Sequence, residues 1–285
     1  MKISSAIAPA SLVWAPAAFA VLSLCDAMVK YLTSHYSVAQ TSIMVSVVGL
    51  GFTVAHAFIQ KRPKALWPLH SKIAVLRAVF LGIDTVLIYI AFDLLPLAEA
   101  YVLAFLTPIL VAFFSAILFK EVLTRKQSFA VMLGFVGVII VLRPGISVIG
   151  WGHVAALGSA FVFAASMLVM RNLKASETDL ALVSTVLIGL ICCAGFLLPF
   201  SEVRPLTTDF ALPLLAAGFC FYCGHRLLVR ALRSRAANLV APFQYSQIIW
   251  GVIYGALLFA APIEPIVLLG AAIIICAGIL TWQRY

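Results

Sequence analysis

Residues Leu97–Gly145 read LAEAYVLAFLTPILVAFFSAILFKEVLTRKQSFAVMLGFVGVIIVLRPG. Two apolar runs, about Glu99–Phe119 and Gln127–Val141, flank one short charged turn, Lys120–Lys126. As helices, each run is long enough, or nearly so, to cross a hydrocarbon core about 30 Å thick. Nearly all the charge lies in the turn, so the stretch predicts a transmembrane hairpin whose turn faces water.

The same layout returns at the end of the chain, from Ala237 to Tyr285. Shifted by 141 residues, Gly137 falls on Gly278, Phe119 on Ala260, and Val136–Val138 on Ala277–Ile279. Identity between the copies is low, but the order of helix, turn, helix and glycine repeats. A period of half the chain is the signature of secondary transporters built from internal repeats.

Composition restricts the class further. Of 285 residues, 64% are hydrophobic and 10% charged, and the mean hydropathy is +1.15. A soluble domain of this size could not cover its surface with so little charge. The reading is an all-α polytopic membrane protein. The net charge of +9 would suggest nucleic acid in a soluble chain, but here the basic residues lie in short loops and set topology. The expected partners are therefore the lipid bilayer and a small-molecule substrate, with no nucleic acid; a homodimer is left open. Cys25, Cys192, Cys193, Cys220, Cys223 and Cys276 all lie within apolar runs and read as packing residues. Cys220 and Cys223 spell C-x-x-C without a second pair, so no metal site and no cofactor are expected.

Ten spans follow, at about 9–32, 38–59, 71–93, 98–119, 126–143, 149–171, 179–200, 209–231, 237–259 and 265–283. Lys2 and Ala18-Phe19-Ala20 imitate a cleavable leader, but the apolar run continues to about Leu32 and reads as the first span. With the N-terminus in the cytoplasm, the inner segments hold 14 of the 19 Lys and Arg residues, and the outer ones only Arg143 and Arg204. That bias puts both termini in the cytoplasm. Five spans per repeat is an odd number, so the repeats, 1–145 and 146–285, are inverted. Inverted repeats place a substrate site near the midplane between them.

Several stretches resemble the EamA-type module of the drug/metabolite transporter superfamily. In the first half these are Leu95-Pro96-Leu97-Ala98-Glu99-Ala100, Phe105-Leu106-Thr107-Pro108, Lys120-Glu121 and Gly134-Phe135-Val136-Gly137-Val138. In the second they are Gly224-His225-Arg226-Leu227-Leu228 and the run from Ala241 to Trp250. Asp26 and Lys30 fit the first helix of that family. The chain departs from the pattern at Ala260-Ala261-Pro262, where an acid is usual, and at Val45, where an Arg is frequent. The resemblance covers the whole chain. It implies a bacterial inner-membrane carrier of amino acids, S-adenosylmethionine, riboflavin or related metabolites. It specifies the fold well and the substrate poorly.

A carrier binds a polar molecule at mid-depth, so ionisable groups inside spans are functional candidates. Asp26 and Lys30, four apart, share a helix face and can neutralise each other, or serve as site or gate contacts. Asp84 sits near the middle of the third span and is a candidate for substrate or proton binding. Arg77, seven residues earlier on the same face, can snorkel to the inner headgroups or act as a gate. His225, in the inner third of the eighth span, is either a hydrogen-bonded structural group or a proton carrier. Glu121 and Lys120 end the fourth span as topology and gate charges.

The ninth span carries the richest polar face. Gln244, Gln247 and Gly251 share one face, as do Gln247, Trp250 and Tyr254. Amides and aromatic rings at mid-depth suit a flat or cationic ligand, and they also serve as glue between helices. Tyr89, Tyr101 and Tyr222 are further lining candidates, with interface anchoring as the alternative. Gly134 and Gly137 read as packing, and Pro108 and Pro242 predict kinks.

The expected function is secondary transport of a small polar or amphipathic metabolite by alternating access. A proton-driven multidrug or metabolite efflux pump is the alternative. A membrane enzyme would need a constellation such as H-E-x-x-H, which the sequence lacks, and a channel would need a continuous polar stripe.

Overall fold

The computed structural model describes residues 9–118, 125–142, 149–170, 177–234, 241–262 and 264–282. Among them, the helices are α1 (Pro9–Thr33), α2 (Val38–Ile59), α3 (Ser71–Leu94), α4 (Leu97–Ala104), α5 (Thr107–Leu118) and α6 (Arg125–Leu142). There follow α7 (Trp151–Met170), α8 (Asp179–Leu197), α9 (Ala211–Ser234), α10 (Ser246–Phe259) and α11 (Pro265–Trp282). Short 3-10 turns occupy Pro63–Leu66, Leu198–Phe200, Thr208–Phe210 and Ala241–Tyr245. Six helices are long and apolar enough to cross a membrane, and four shorter apolar segments complete ten. The protein is an all-α membrane bundle of ten spans in two inverted five-helix repeats. The Lys120–Glu121 end of the charged turn lies outside the described residues.

Both predicted kinks have a local cause. Pro108 has no N–H, so the carbonyl of Ala104 loses its helical donor. The Thr107 hydroxyl donates to that carbonyl at 2.8 Å, and the fourth span breaks into α4 and α5. Within a bilayer a freed carbonyl needs such an internal donor. Pro242 falls in the 3-10 turn Ala241–Tyr245, which opens the ninth span ahead of α10.

The closest helix pairs join one repeat to the other. α1 packs on α9 as α3 packs on α7, and α3 on α8 as α2 on α9. α2 with α8, α4 with α10 and α6 with α11 pair with their own counterparts. This is the contact pattern of a pseudo-two-fold axis, and it means the repeats interdigitate. Glycines permit the approach. A Cβ on Gly82 of α3 would lie 2.9 Å from the Gly189 carbonyl oxygen of α8, and one on Gly49 of α2 would lie 3.2 Å from that of Gly218 on α9. The two contacts are mates under the axis. Gly137 of α6 meets Gly270 of α11 likewise. Outward, Val47, Phe58, Val79, Ile83, Phe129, Met132, Phe196 and Leu257 form part of an exposed apolar belt suited to acyl chains.

Candidate functional site

The inner side of α1 repeats small and polar residues at helical spacing: Ser23, Asp26, Ala27 and Lys30. From α4, the buried Tyr101 donates its hydroxyl to Asp26 Oδ2 at 2.8 Å. Gly251 of α10 supports the ring from behind, where a Cβ would lie 2.5 Å from Tyr101 Cδ2. Phe92 meets Tyr101 edge-on at 5.4 Å, Phe105 stacks on it at 6.1 Å, and Tyr245 meets Phe105 at 5.4 Å. Tyr89 extends the cluster from Phe92.

Gln247 lies one turn before Gly251 on the same face of α10, and Gln244 one turn further. Both are buried. Among the described residues neither amide makes a hydrogen bond, and the buried hydroxyls of Tyr89 and Tyr245 have no partner either. The buried Gln244 and Gln247 thus share the Gly251 face of α10, which meets Tyr101 of α4 and, through its hydroxyl, Asp26 of α1. Such a lining can hold a ligand with a flat or cationic part and a donor–acceptor edge.

Asp84 sits beside this cluster, at the α3–α7 seam. Ser159 of α7 donates to its Oδ1 at 2.6 Å. The two carboxylates, Asp26 and Asp84, lie within electrostatic reach of each other. Each has one hydroxyl donor, and neither forms an ion pair among the described residues.

Two sequence expectations change. Lys30 does not pair with Asp26. Its Nζ donates to the carbonyls of Phe92 and Leu95, the latter at 2.9 Å, and lies 5.6 Å from the Phe259 ring centroid. The ammonium caps the C-terminus of α3, where unpaired carbonyls and the helix dipole favour a cation. Arg77 does not snorkel, for it is 2% exposed and held inside the bundle. Arg226 donates to Tyr222 Oη and to His56 Nδ1, both at 2.8 Å, and Tyr222 bonds the same imidazole. Tyr222, a lining candidate or interface anchor on sequence, thus belongs to a polar cluster with His56 and Arg226.

Of the remaining candidates, His225 stacks on Phe221 at 4.2 Å and Trp250 on Tyr254 at 5.9 Å. Asp84 belongs to a different seam from Gln244 and Gln247, so the structure sets it beside the α10 amides and not in contact with them. Glu121 lies outside the described residues.

The two ends of the bundle are tied across the repeats. At one end, Gln40 of α2 accepts from the Arg204 N–H at 3.0 Å and donates to its carbonyl, and the Tyr36 hydroxyl accepts from the Thr207 N–H. His153 of α7 accepts from the Gly150 N–H on Nδ1, which leaves its proton on Nε2, 3.2 Å from Glu99 of α4. At the opposite end, the fully covered Glu177 accepts from the N–H of Leu69 at 2.9 Å, from that of His70, and from the His70 ring at 3.0 Å. Burial pushes the Glu177 carboxyl up, but these donors outweigh it and hold its pKa below the usual carboxylate value. Thr178 and Ser184 add bonds to the carbonyls of Ala65 and Leu66.

Sequence reasoning passed over His56, Glu99, His153, Ser159 and Glu177. His56, Glu99 and His153 are ionisable residues within apolar runs, and that signal alone would have found them. Ser159 and Glu177 carry no such mark, because their partners stand 75 and 108 residues away. Among the described residues no three His, Cys, Asp or Glu side chains converge as a metal ion would require.

The model of the EamA-like transporter family matches residues 10–143 and 150–283. A riboflavin transporter of Rhizobium johnstonii is 25% identical over 93% of this chain and 88% of its own. The pseudopaline exporter CntI of Pseudomonas aeruginosa is 24% identical over 90% of both chains. A crystal structure covering 95% of each chain superposes with a TM-score of 0.71 at 15% identity, which shows the fold alone.

Proposed function

The chain belongs to the EamA-like transporter family, and on that premise we propose that it carries a small polar or amphipathic metabolite across the bacterial inner membrane by alternating access. It is a multi-pass membrane transporter and not an enzyme. The observation that supports the substrate reading is the Tyr101–Asp26 hydrogen bond, packed against the face of α10 that also carries the buried Gln244 and Gln247. Asp84, Tyr89, Trp250 and Tyr254 complete the proposed lining. The two repeats, 1–145 and 146–285, are the units whose seams open in turn. Ties at the outer end (Gln40 to Arg204, Glu99 to His153) and at the inner end (Glu177 to His70, His56 to Arg226) are the contacts that such motion would break alternately.

The 14-to-2 distribution of loop Lys and Arg supports cytoplasmic termini. Cysteine labelling from outside intact cells should miss the 120–126 turn. Substrate class is tested by a thermal-shift screen of the purified protein with amino acids, S-adenosylmethionine, flavins and nucleosides, because a ligand that binds only the folded form raises its stability. The relatives that transport riboflavin and pseudopaline make flat and polar metabolites the first compounds to try. A screen in which no small molecule shifts the melting temperature, even near millimolar concentration, would contradict the site.

A further inference from the structure

We propose that the turn after α2 is a binding site for an anionic phospholipid, with the phosphate among Lys61, Arg62 and Lys64 and the acyl chains on the exposed apolar surface beside them. The site is independent of which metabolite the protein carries.

The way α2 ends builds the site. Lys61 has φ 56°, in the left-handed region that glycine occupies most readily. Its N–H donates to the Phe58 carbonyl and that of Arg62 to the Ala57 carbonyl, both at 2.9 Å, so the turn satisfies the last carbonyls of the helix. Pro63 then opens the 3-10 turn Pro63–Leu66, and the Ala65 N–H donates to the Arg62 carbonyl at 2.9 Å. Lys61, Arg62 and Lys64 thus stand on a backbone that is already hydrogen-bonded. Glycine would close α2 with less strain, and the lysine adds a charge there at a conformational cost.

This turn lines an open cavity of about 550 Å³, together with Trp67 and Leu69. That volume is within the range of small-molecule sites. Lys61, Arg62 and Lys64 are exposed, and none of them forms an ion pair among the described residues. The carboxylate in the wall, Glu177, is fully covered and already accepts from the N–H groups of Leu69 and His70 and from the His70 ring. Its charge is satisfied within the wall, so the three cations keep their attraction for an anion from outside the protein.

The apolar half of the site identifies that anion. Trp67 and Leu69 are each 71% exposed, and Phe58 and Ile59, just before Lys61, are 62% and 81% exposed. A small soluble anion would engage the cations and leave this surface in water. An anionic phospholipid covers both parts, its headgroup on the cations and its chains against Phe58, Ile59 and Leu69. A tryptophan in this position suits the headgroup level of a bilayer. The lipid would also bridge the repeats, because Thr178, across the cavity, belongs to the second.

The test titrates full-length protein in neutral detergent with phosphatidylglycerol, with phosphatidylcholine of the same chains, and with glycerol 3-phosphate. Native mass spectrometry counts bound lipid, and the melting temperature follows stability. Phosphatidylglycerol should bind and stabilise, phosphatidylcholine should bind about tenfold more weakly, and glycerol 3-phosphate should give no shift at millimolar concentration. Combining Lys61→Gly with Lys64→Gln should weaken phosphatidylglycerol about tenfold or more, since each cation near an anionic surface contributes roughly fivefold. The lipid-free melting temperature should stay close to wild type, because glycine relieves the turn. Arg125→Gln with Lys126→Gln removes the same charge at another exposed turn and should leave binding unchanged. Equal binding of the two lipids, unchanged binding in the Lys61/Lys64 variant, or an equal loss in the Arg125/Lys126 variant overturns the proposal. A glycerol 3-phosphate shift equal to that of phosphatidylglycerol makes the occupant a soluble anion and overturns it too. Should the Lys61/Lys64 variant fail to insert, the three ligands on the wild-type protein decide alone.

Discussion

Tyr101 donates its hydroxyl to Asp26 at 2.8 Å, and the ring that carries it rests on Gly251. One contact thus joins α1, α4 and α10, that is, both repeats, at the lining of the proposed site. Tyr101→Phe keeps the packing and removes the donor. A hydrogen bond to a charged group contributes about 1.5–3 kcal/mol to stability, so the melting temperature should fall, and ligand affinity should fall with it because Asp26 is no longer held in place, while the protein stays monodisperse. Gly251→Ala should give the same result, because its Cβ would lie 2.5 Å from Tyr101 Cδ2 and displace the ring. Wild-type affinity in both variants would reduce the contact to packing.

Gln247 allows binding and stability to be separated. Its amide is buried but bonds to no described residue, so Gln247→Ala should weaken ligand binding by about 1–3 kcal/mol and leave the ligand-free melting temperature close to wild type. A lower melting temperature with unchanged affinity would make it a structural amide.

Asp84 is the candidate for proton coupling, since a carboxylate at mid-span with only the Ser159 hydroxyl as donor must be protonated, wet or paired with ligand. Asp84→Asn should abolish pH-driven accumulation and leave exchange of labelled substrate partly intact. Persistence of both modes in Asp84→Asn liposomes rules out the coupling role.

At the end of the bundle tied by His70, Glu177 provides a pH signature with a defined sign. Its folded pKa lies below the usual carboxylate value, so its stabilising contribution is fully present above about pH 5 and is lost as pH falls through the folded pKa. The melting-temperature gap between wild type and Glu177→Gln should be constant from about pH 5 to 7 and close toward about pH 3. A gap that widens on acidification contradicts the latch.

The spans were legible because hydropathy is local. Ten apolar runs, the break near Pro108 and the packing role of Gly137 all follow from residues within a turn or two of each other. Partner choice was not legible. Asp26 and Lys30 share a face, yet Asp26 bonds Tyr101, 75 residues away, and Lys30 the carbonyls of Phe92 and Leu95. Only the fold brings the end of α3, with its unpaired carbonyls, to the ammonium. Arg77 reads on sequence as a snorkelling residue, and its enclosure depends on how α3 is rotated within the bundle. Tyr222 reads as a lining residue or an anchor until His56, 166 residues earlier, is placed beside it.

The central claim is that this chain is a carrier with a substrate site at the seams between its repeats. Counter-flow tests it most directly. Proteoliposomes loaded with the unlabelled ligand from the thermal screen are diluted into a trace of labelled ligand. Carrier action predicts a transient overshoot of label inside, abolished by Asp26→Asn and reduced by Gln247→Ala. Monotonic equilibration without overshoot would contradict a carrier, and so would an overshoot indifferent to both substitutions contradict the site.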